Sequence, residues 1–351
     1  MCHLHYERLQ IITMQANIIK HTNNIVLIWL ITIIVMVLIM ILIGGITRLT
    51  GSGLSMVEWR PVLGFLPPLS EYEWNRVFQL YANSPEYIKI NNGMNLEEFK
   101  KIFFWEYFHR LWGRLIGIIF FIPLVLFIVL QKIPKIILPK ILIVFFLGGL
   151  QSIIGWWMVK SGLVNDPTVS QYRLATHLSN ALLILFFLVW IYLDLKEGIS
   201  KIRFNFSLLI FCLVSSTIVA GAFVAGMDAG LMYNEYPLMG GSFIPETYGD
   251  YEFLDPFENP ASAQFHHRHL ALLTTILTLI YSFNIYSKTE DGKIKKIAII
   301  TALIVFSQFL LGIITLINMV PITLGAIHQT GAVILFLSII IGMHRLNIKS
   351  I

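Results

Sequence analysis

Eight apolar runs, each about 20 residues long and so long enough to cross a bilayer, recur near 25–43, 110–130, 138–158, 174–194, 205–226, 268–287, 297–318 and 326–346. Runs of that length and number predict an all-α polytopic membrane protein with eight transmembrane helices. The polar stretches between them alternate in kind. On one side the connections are short and basic: Lys132, Lys135 and Lys140, then Lys196, Lys201 and Arg203, then Lys288, Lys293, Lys295 and Lys296, with Arg8 and Lys20 in the leader and Arg345 and Lys349 in the tail. On the other side lie two long loops, about 44–106 and 227–265. The second carries Asp228, Glu235, Glu246, Asp250, Glu252, Asp255 and Glu258 and no Lys or Arg. Short basic loops decide orientation, since long loops cross largely regardless of charge. Both termini are therefore expected in the cytoplasm.

The pattern also repeats. The first run leaves as I-L-I-G-G-I-T-R-L-T-G-S-G-L from Ile41 and the fifth as I-V-A-G-A-F-V-A-G-M-D-A-G-L from Ile218, so that Gly44 meets Gly221 and Gly53 meets Gly230 at one offset. In the third and seventh, Gln151 and Gly155 meet Gln308 and Gly312. The fourth begins A-T-H-L-S-N-A at Ala175 and the eighth A-I-H-Q-T-G-A at Ala326. The second begins E-Y-F-H-R at Glu106 and the sixth Q-F-H-H-R at Gln264. A period this long marks a duplicated structural unit. Two tandem four-helix bundles are expected, 25–196 and 197–351, after a leader of residues 1–24. Each unit holds an even number of spans, so both face the same way.

Composition agrees with the pattern and narrows the partners. Of 351 residues 56% are hydrophobic and 13% charged, and the mean hydropathy is +0.75, outside the range of soluble domains. The net charge of +5 resides in loops expected to face anionic lipid, so nucleic acid is not an expected partner. Cys2 and Cys212 cannot plausibly pair and offer no thiolate metal site. The first run is long enough to remain as a span, and no cleavable signal peptide is expected. His3, His5 and His21 in the leader read as solvated residues.

Four other histidines stand out. His109, His177, His267 and His328 each open an even-numbered run, which places all four near the outer leaflet, two per unit. Ionisable groups at such depth are costly and point to function, and two histidines on facing helices of a four-helix bundle can hold a haem iron from both sides. Zinc or copper would ask for further cysteine or carboxylate ligands, and only Glu106 is on offer. Glu106 and His109, one helical turn apart, share a face. Arg110, Arg114, Arg173 and Arg268 are candidates for haem propionates, although interfacial anchors would look the same. The units differ at one telling position: Glu106 precedes His109 by three residues, whereas Gln264 precedes His267. One pocket is thus expected to do chemistry, with Glu106 relaying protons or stabilising positive charge, and the other to hold a cofactor. A plain charge partner for Arg110 or Arg114 is the alternative for Glu106. His266 and His269 flank His267, which is preferred because Arg268 repeats the His109–Arg110 pair. His344 reads as a cytoplasmic interfacial residue, and Gly148, Gly149 and Gly155 as small packing residues.

At these residues the chain closely resembles haem A synthase of the mitochondrial and α-proteobacterial type. The resemblance rests on T-R-L-T-G-S-G-L-S-M-V-E-W from Thr47, the loop segment L-E-E-F-K from Leu96, W-E-Y-F-H-R-L-W-G-R from Trp105, A-G-M-D-A-G-L-M-Y-N-E-Y-P from Ala225, Q-F-H-H-R from Gln264 and G-A-I-H-Q-T-G from Gly325. It lacks the cysteine pair that the other branch carries in the first outer loop. The resemblance implies a membrane oxidoreductase that converts the C8 methyl of haem O into the formyl of haem A, via an alcohol, for terminal cytochrome oxidases. It implies that His109 and His177 flank the substrate haem, that His267 and His328 hold a haem b cofactor, and that Glu106 is the catalytic acidic residue. Expected partners are haem O from the membrane or its synthase, an electron-transfer protein and cytochrome oxidase assembly factors. The expected location is the bacterial inner membrane, or the mitochondrial inner membrane in a eukaryote. A dihaem b-type electron carrier or quinol-linked oxidoreductase would use the same histidines without altering a haem, and a haem chaperone would share one site. A transporter of parallel repeats would need polar or broken helices at mid-depth, which these runs lack.

Overall fold

A computed structural model describes residues 24–59 and 63–349. Most of the leader, with Cys2, His3, His5, Arg8, Lys20 and His21, lies outside the described residues. Eight helices among those described are long and apolar enough to cross a membrane: α1 (Asn24–Leu49), α2 (Leu96–Val129), α3 (Leu138–Gly162), α4 (Gln171–Glu197), α5 (Phe206–Gly226), α6 (Pro260–Lys288), α7 (Gly292–Ile317) and α8 (Ile322–Lys349). The protein is an all-α polytopic membrane protein. Every apolar run becomes one helix, because lipid leaves a backbone no other partner than itself.

The helices outrun the runs that announce them. At 34 residues, α2 is about 50 Å long at 1.5 Å per residue, well beyond a hydrocarbon core. Its first turn is L-E-E-F-K, expected from sequence to be loop. The start is set by a capping box in which Asn95 Oδ1 accepts from the Glu98 amide at 3.0 Å and Glu98 Oε2 accepts from the Asn95 amide at 3.0 Å. Such reciprocal capping satisfies donors that water would otherwise compete for, so the helix begins in the aqueous layer. Glu106 and His109 thereby sit inside α2 instead of at its edge. Asn259 caps α6 in the same manner, accepting from Ala261 and Ser262.

Four helices form the centre. α4 packs against α1, α3, α5 and α8, and α8 also against α1, α5 and α7. The core is correspondingly continuous across them, with Leu30, Leu185, Leu188, Ile191, Ile210, Ile339 and Ile340 shut away from the surroundings. α2 lies along α1, tied by two indoles pointing opposite ways: Trp29 Nε1 donates to the Ile119 carbonyl and Trp112 Nε1 to that of Met36, each at 2.9 Å. Around α5 and α8, the helices α6 and α7 pack on their neighbours and on each other, closing a ring of four. The corresponding pair on the other side, α2 and α3, does not pack along its length. Those two helices meet at Phe121 and Phe145, whose rings stack 5.8 Å apart.

The long loop 50–95 folds over this open side. Helices Glu71–Ala82 and Pro85–Lys89, begun by the caps Ser70 and Ser84, pack Tyr81 against Phe99 and Phe103 of the projecting part of α2. Arg76 reaches Glu58 at 3.1 Å, and Lys89 reaches Asp166, between α3 and α4, at 2.7 Å. The loop is a lid fastened on both flanks.

At the opposite end, His344 is not an interfacial residue but fully buried. Its Nε2 stands 2.9 Å from Asp194 of α4, which also takes Lys140 of α3 at 2.6 Å and the Ser200 amide at 3.0 Å. A carboxylate brought from the other half meets one nitrogen of the imidazole and lowers the cost of its burial, while Nδ1 stays without a hydrogen-bond partner. Arg345 pairs beside it with Glu197. At the end where the long loops lie, Arg48 of α1 crosses to Asp228 at 2.8 Å and to the Ala225 carbonyl at 2.7 Å.

Candidate functional site

The four even-helix histidines share one local design. Each imidazole lies over a glycine on the preceding odd helix: His109 on Gly44, His177 on Gly155, His267 on Gly221 and His328 on Gly312. A methyl group placed on those glycines would stand 3.3, 3.0, 3.1 and 2.9 Å from the nearest ring atom, so glycine is what allows each ring to come this close to the helix beside it. Gly155 is therefore more than the packing residue expected from sequence, whereas Gly148 and Gly149 face open space.

The rings pair within halves. His177 interacts electrostatically with His109, and His267 with His328. Two glutamines at matched positions hold the fourth-helix members. Gln151 Nε2 donates to the His177 carbonyl at 3.1 Å and lies 3.3 Å from its Nε2; Gln308 Nε2 donates to the His328 carbonyl at 2.7 Å and lies 3.0 Å from its Nδ1. Asn180 steadies Gln151 at 2.6 Å, where Gly331 stands in the other half. Of the three clustered histidines, His266 turns to Tyr248 and His269 stacks on Phe265 at 4.0 Å, leaving His267 for the bundle.

This donor set suits a haem iron. Each half offers two imidazoles, and among the described residues no three His, Cys, Asp or Glu side chains converge as a zinc site would need. Nδ1 of His177 and of His267 is buried without a hydrogen-bond partner, which polar nitrogens at such depth rarely tolerate. Each half thus holds one such nitrogen, and its two imidazoles are residues that would hold a haem iron, which would supply redox chemistry there.

Around these pairs the halves diverge. Glu106 is buried, and its carboxylate is fully engaged: Oε2 accepts from the Ser55 hydroxyl at 2.8 Å and the Met56 amide at 2.7 Å, and Oε1 from Arg110 at 2.5 Å. Both sequence alternatives meet in this geometry, since Glu106 pairs with Arg110 one turn on and also stands one turn from His109. Gln264, equally buried, reverses the sense of its hydrogen bond and donates to the Tyr233 carbonyl at 3.2 Å. The offset that carries Gly44 to Gly221 carries Met56 to Tyr233, so carboxylate and amide address the same backbone position.

The four arginines part company. Arg110 donates to the carbonyls of Met56 and Glu58, and Arg268 to those of Tyr233 and Glu235, which are repeat-equivalent positions. Both clamp the loop that follows the odd helix. Arg173 donates to the Trp157 carbonyl at 2.7 Å and lies 4.5 Å over its indole. Arg114 lies 5.5 Å over Phe65 and borders a cavity of about 430 Å³ on α2, with Gly117, Ile118, Phe121 and Ile122. The repeat puts Leu272 and Leu324 at the positions of Arg114 and Arg173, so these two cations belong to the N-terminal half alone.

With the geometry in place, comparison decides the family. A family model described as COX15-CtaA, cytochrome oxidase assembly protein, matches residues 27–340. The chain belongs to this family. Relatives in the COX15-CtaA family include the haem A synthase of Nitrosospira multiformis, 43% identical over 330 residues that cover 91% of this chain and 93% of that one. That of Parvibaculum lavamentivorans is 42% identical over 91% of this chain and 93% of its own, and that of Pelagibacter ubique 42% identical over 90% and 95%. The match to the COX15-CtaA model runs through both halves and takes in all four histidines. Sequence reasoning had missed the ring-bearing role of the glycines, the two glutamine props and the Ser55–Met56 cradle. The repeat had already aligned Gly155 with Gly312 and Gln151 with Gln308, and that alignment was the available signal.

Proposed function

We propose that the protein makes haem A for cytochrome oxidase, oxidising haem O at its C8 methyl to a formyl group in two successive two-electron steps through an alcohol. Relatives covering nine-tenths of the chain carry the name haem A synthase. The observation that supports different roles for the halves is the exchange of a buried carboxyl group for a buried amide, Glu106 for Gln264, next to otherwise like histidine pairs.

In this reading the substrate haem lies in the N-terminal unit, 25–196, between His109 and His177. His267 and His328 of the C-terminal unit, 197–351, hold haem b, which when bound supplies one-electron redox chemistry. Gly44 and Gly155 let the substrate-side rings lie against α1 and α3; Gln151, held by Asn180, fixes His177. Glu106, held by hydrogen bonds from Arg110, Ser55 and the Met56 amide, places its carboxyl group one turn from His109, where a carboxylate favours positive charge developing during oxidation. It also stands ready to accept a proton there. Arg114 and Arg173 are the propionate residues, being the cations that the C-terminal unit lacks. Arg268 directs its donors to loop carbonyls, Arg110 its donors to loop carbonyls and Glu106, and both act as struts. An electron-transfer partner and oxidase assembly factors complete the set of partners. The short basic loops support a reading with both termini on the cytoplasmic side of a bacterial inner membrane.

Haem extraction and chromatography test the proposal, with wild type beside Glu106→Ala and His109→Ala in cells that make haem O. Haem B together with haem A or its alcohol precursor in the wild type, and accumulation of haem O or the alcohol in the variants, is expected. Two haem B per chain, indifferent to Glu106→Ala, would instead describe a dihaem electron carrier.

A further inference from the structure

Two interfaces join the halves in the same manner, α1 against α8 and α5 against α4, and the repeat exchanges one for the other. Gly45 on α1 answers to Ala222 on α5, and Gln329 on α8 to Leu178 on α4, at the offsets that pair Gly44 with Gly221 and His177 with His328. At α1–α8 both residues stand next to a histidine site. Gly45 follows Gly44, over which the His109 ring lies, and Gln329 follows His328.

The two interfaces are filled differently. At α5–α4, Leu178 packs on the cluster of Ala175, Ala222 and Phe223, an apolar contact. At α1–α8, Gln329 Nε2 donates to the Ile41 carbonyl at 2.7 Å. Ile41 and Gly45 are both buried, and a methyl group on Gly45 would overlap the Gln329 amide. The glycine is what admits that amide. Ile41 lies four residues before Gly45, so its carbonyl belongs to the helix ladder already and has no need of a second donor. An apolar side chain would fill the space as well, as Leu178 does at the twin interface. Carrying an amide into the bundle costs desolvation that its hydrogen bond only offsets. What the amide adds is direction: an apolar contact tolerates sliding, whereas a hydrogen bond selects one register. A continuous chain of contacts therefore joins the sites, from His328 to its neighbour Gln329, across to Ile41 and Gly45, and through Gly44 to the His109 ring.

We propose that Gln329 is a positioning residue that couples the two histidine sites, acting through His328 on one side and the α1 wall behind His109 on the other. A ligand seated in one site then changes the energetics of the other. The coupling makes and breaks no covalent bond and moves no proton. It rests on the placement of substrate and cofactor proposed above, and it serves that reading: electrons withdrawn in the N-terminal unit have to reach the C-terminal one, and a fixed register keeps their separation the same from turnover to turnover.

Potentiometry of the full-length protein carrying haem b tests it, with the redox-silent zinc derivative of haem O as the probe for the substrate site. Filling one site shifts the equilibrium at the other by their coupling factor, typically about fivefold or more, and fivefold is about 40 mV for a one-electron couple. In the wild type the probe should move the haem b midpoint by at least that much. In Gln329→Leu, which copies the twin interface, haem b and the probe should both still bind and the shift should vanish. The double variant Gly45→Ala with Gln329→Leu rebuilds the Ala222–Leu178 contact that the protein already packs, and it should be uncoupled too. A merely structural Gln329 would cost haem b or probe binding and leave the shift as it was. A haem b potential indifferent to the bound probe in the wild type, or a shift that survives in both variants, overturns the coupling. Failure of the probe to bind the wild type, or binding indifferent to both His109→Ala and His177→Ala, overturns the substrate site itself and the coupling with it.

Discussion

The C-terminal four helices close on themselves; the N-terminal four stop one contact short. α6 packs on α7, while their counterparts α2 and α3 stand apart beneath a lid. Inside, the same histidines lie over the same glycines, propped by the same glutamines. What changes is the surrounding charge: Glu106 for Gln264, Arg114 for Leu272, Arg173 for Leu324. The repeat supplies two equivalent histidine frames. The closed one is built to keep what it holds, and the open one to exchange it. Under the proposed function, iron ligation and chemistry are separable in this fold, the first written in the repeat and the second in departures from it.

The strongest way to break the comparison is to remove a ligand from each side. His177→Ala is expected to abolish haem A formation while leaving haem b in place, and His328→Ala to remove haem b, as read by pyridine haemochrome spectra and chromatography; loss of haem b from both variants would erase the division of labour. Next in size is the carboxylate. Glu106→Gln, which copies the C-terminal half, should lower conversion about 10²–10³-fold with haem content kept, the usual worth of one positioned charge or base. The reciprocal Gln264→Glu should leave conversion within about twofold. Gly155→Ala pushes directly on the His177 ring, and a drop of about 10-fold in substrate-haem affinity is expected, against no change for Gly148→Ala; equilibrium haem titration would tell them apart. Arg114→Leu, which again imports the C-terminal residue, should raise KM for haem O about 10-fold with kcat little altered, the worth of one charge-assisted hydrogen bond.

The smallest effect concerns stability and pH. Burial on the lid helix Pro85–Lys89 pushes Glu86 up to about 7 from its ordinary 4.5, so between those values the folded lid binds more protons than the unfolded chain. Lid stability therefore falls as pH rises from about 4.5 through 7. Hydrogen exchange of the segment 71–95 should show protection declining over that window in the wild type and flat in Glu86→Gln.

Much of this was legible in the chain, for physical reasons. Lipid admits few alternatives to a helix, so eight apolar runs gave eight spans, and the repeat brought out the four histidines and the exchange at Glu106. The ends were not legible. A hydropathy run measures what lies in hydrocarbon, and α2 continues upward to a capping box at Asn95 and Glu98 that no apolar count can see. The fate of long side chains was hidden as well. Arg110 and Arg268 look like propionate binders in sequence, yet the donors of Arg268 go to loop carbonyls and those of Arg110 to loop carbonyls and to Glu106. His344 looked interfacial because the partner that allows its burial, Asp194, belongs to the other half.

The open flank between α2 and α3 has a consequence for the life of the molecule. A bundle missing one wall forgoes the dispersion contacts that wall would make, and a flat aromatic ligand seated there supplies them. Binding to the folded form alone stabilises it by about 2.7 kcal/mol when free ligand stands at 100 times its dissociation constant. The N-terminal unit is then sturdiest when loaded and weakest just after release. Because small changes in stability alter how much of a protein survives quality control, cells short of haem O should hold less of this protein, its steady-state amount following the supply of the molecule it consumes.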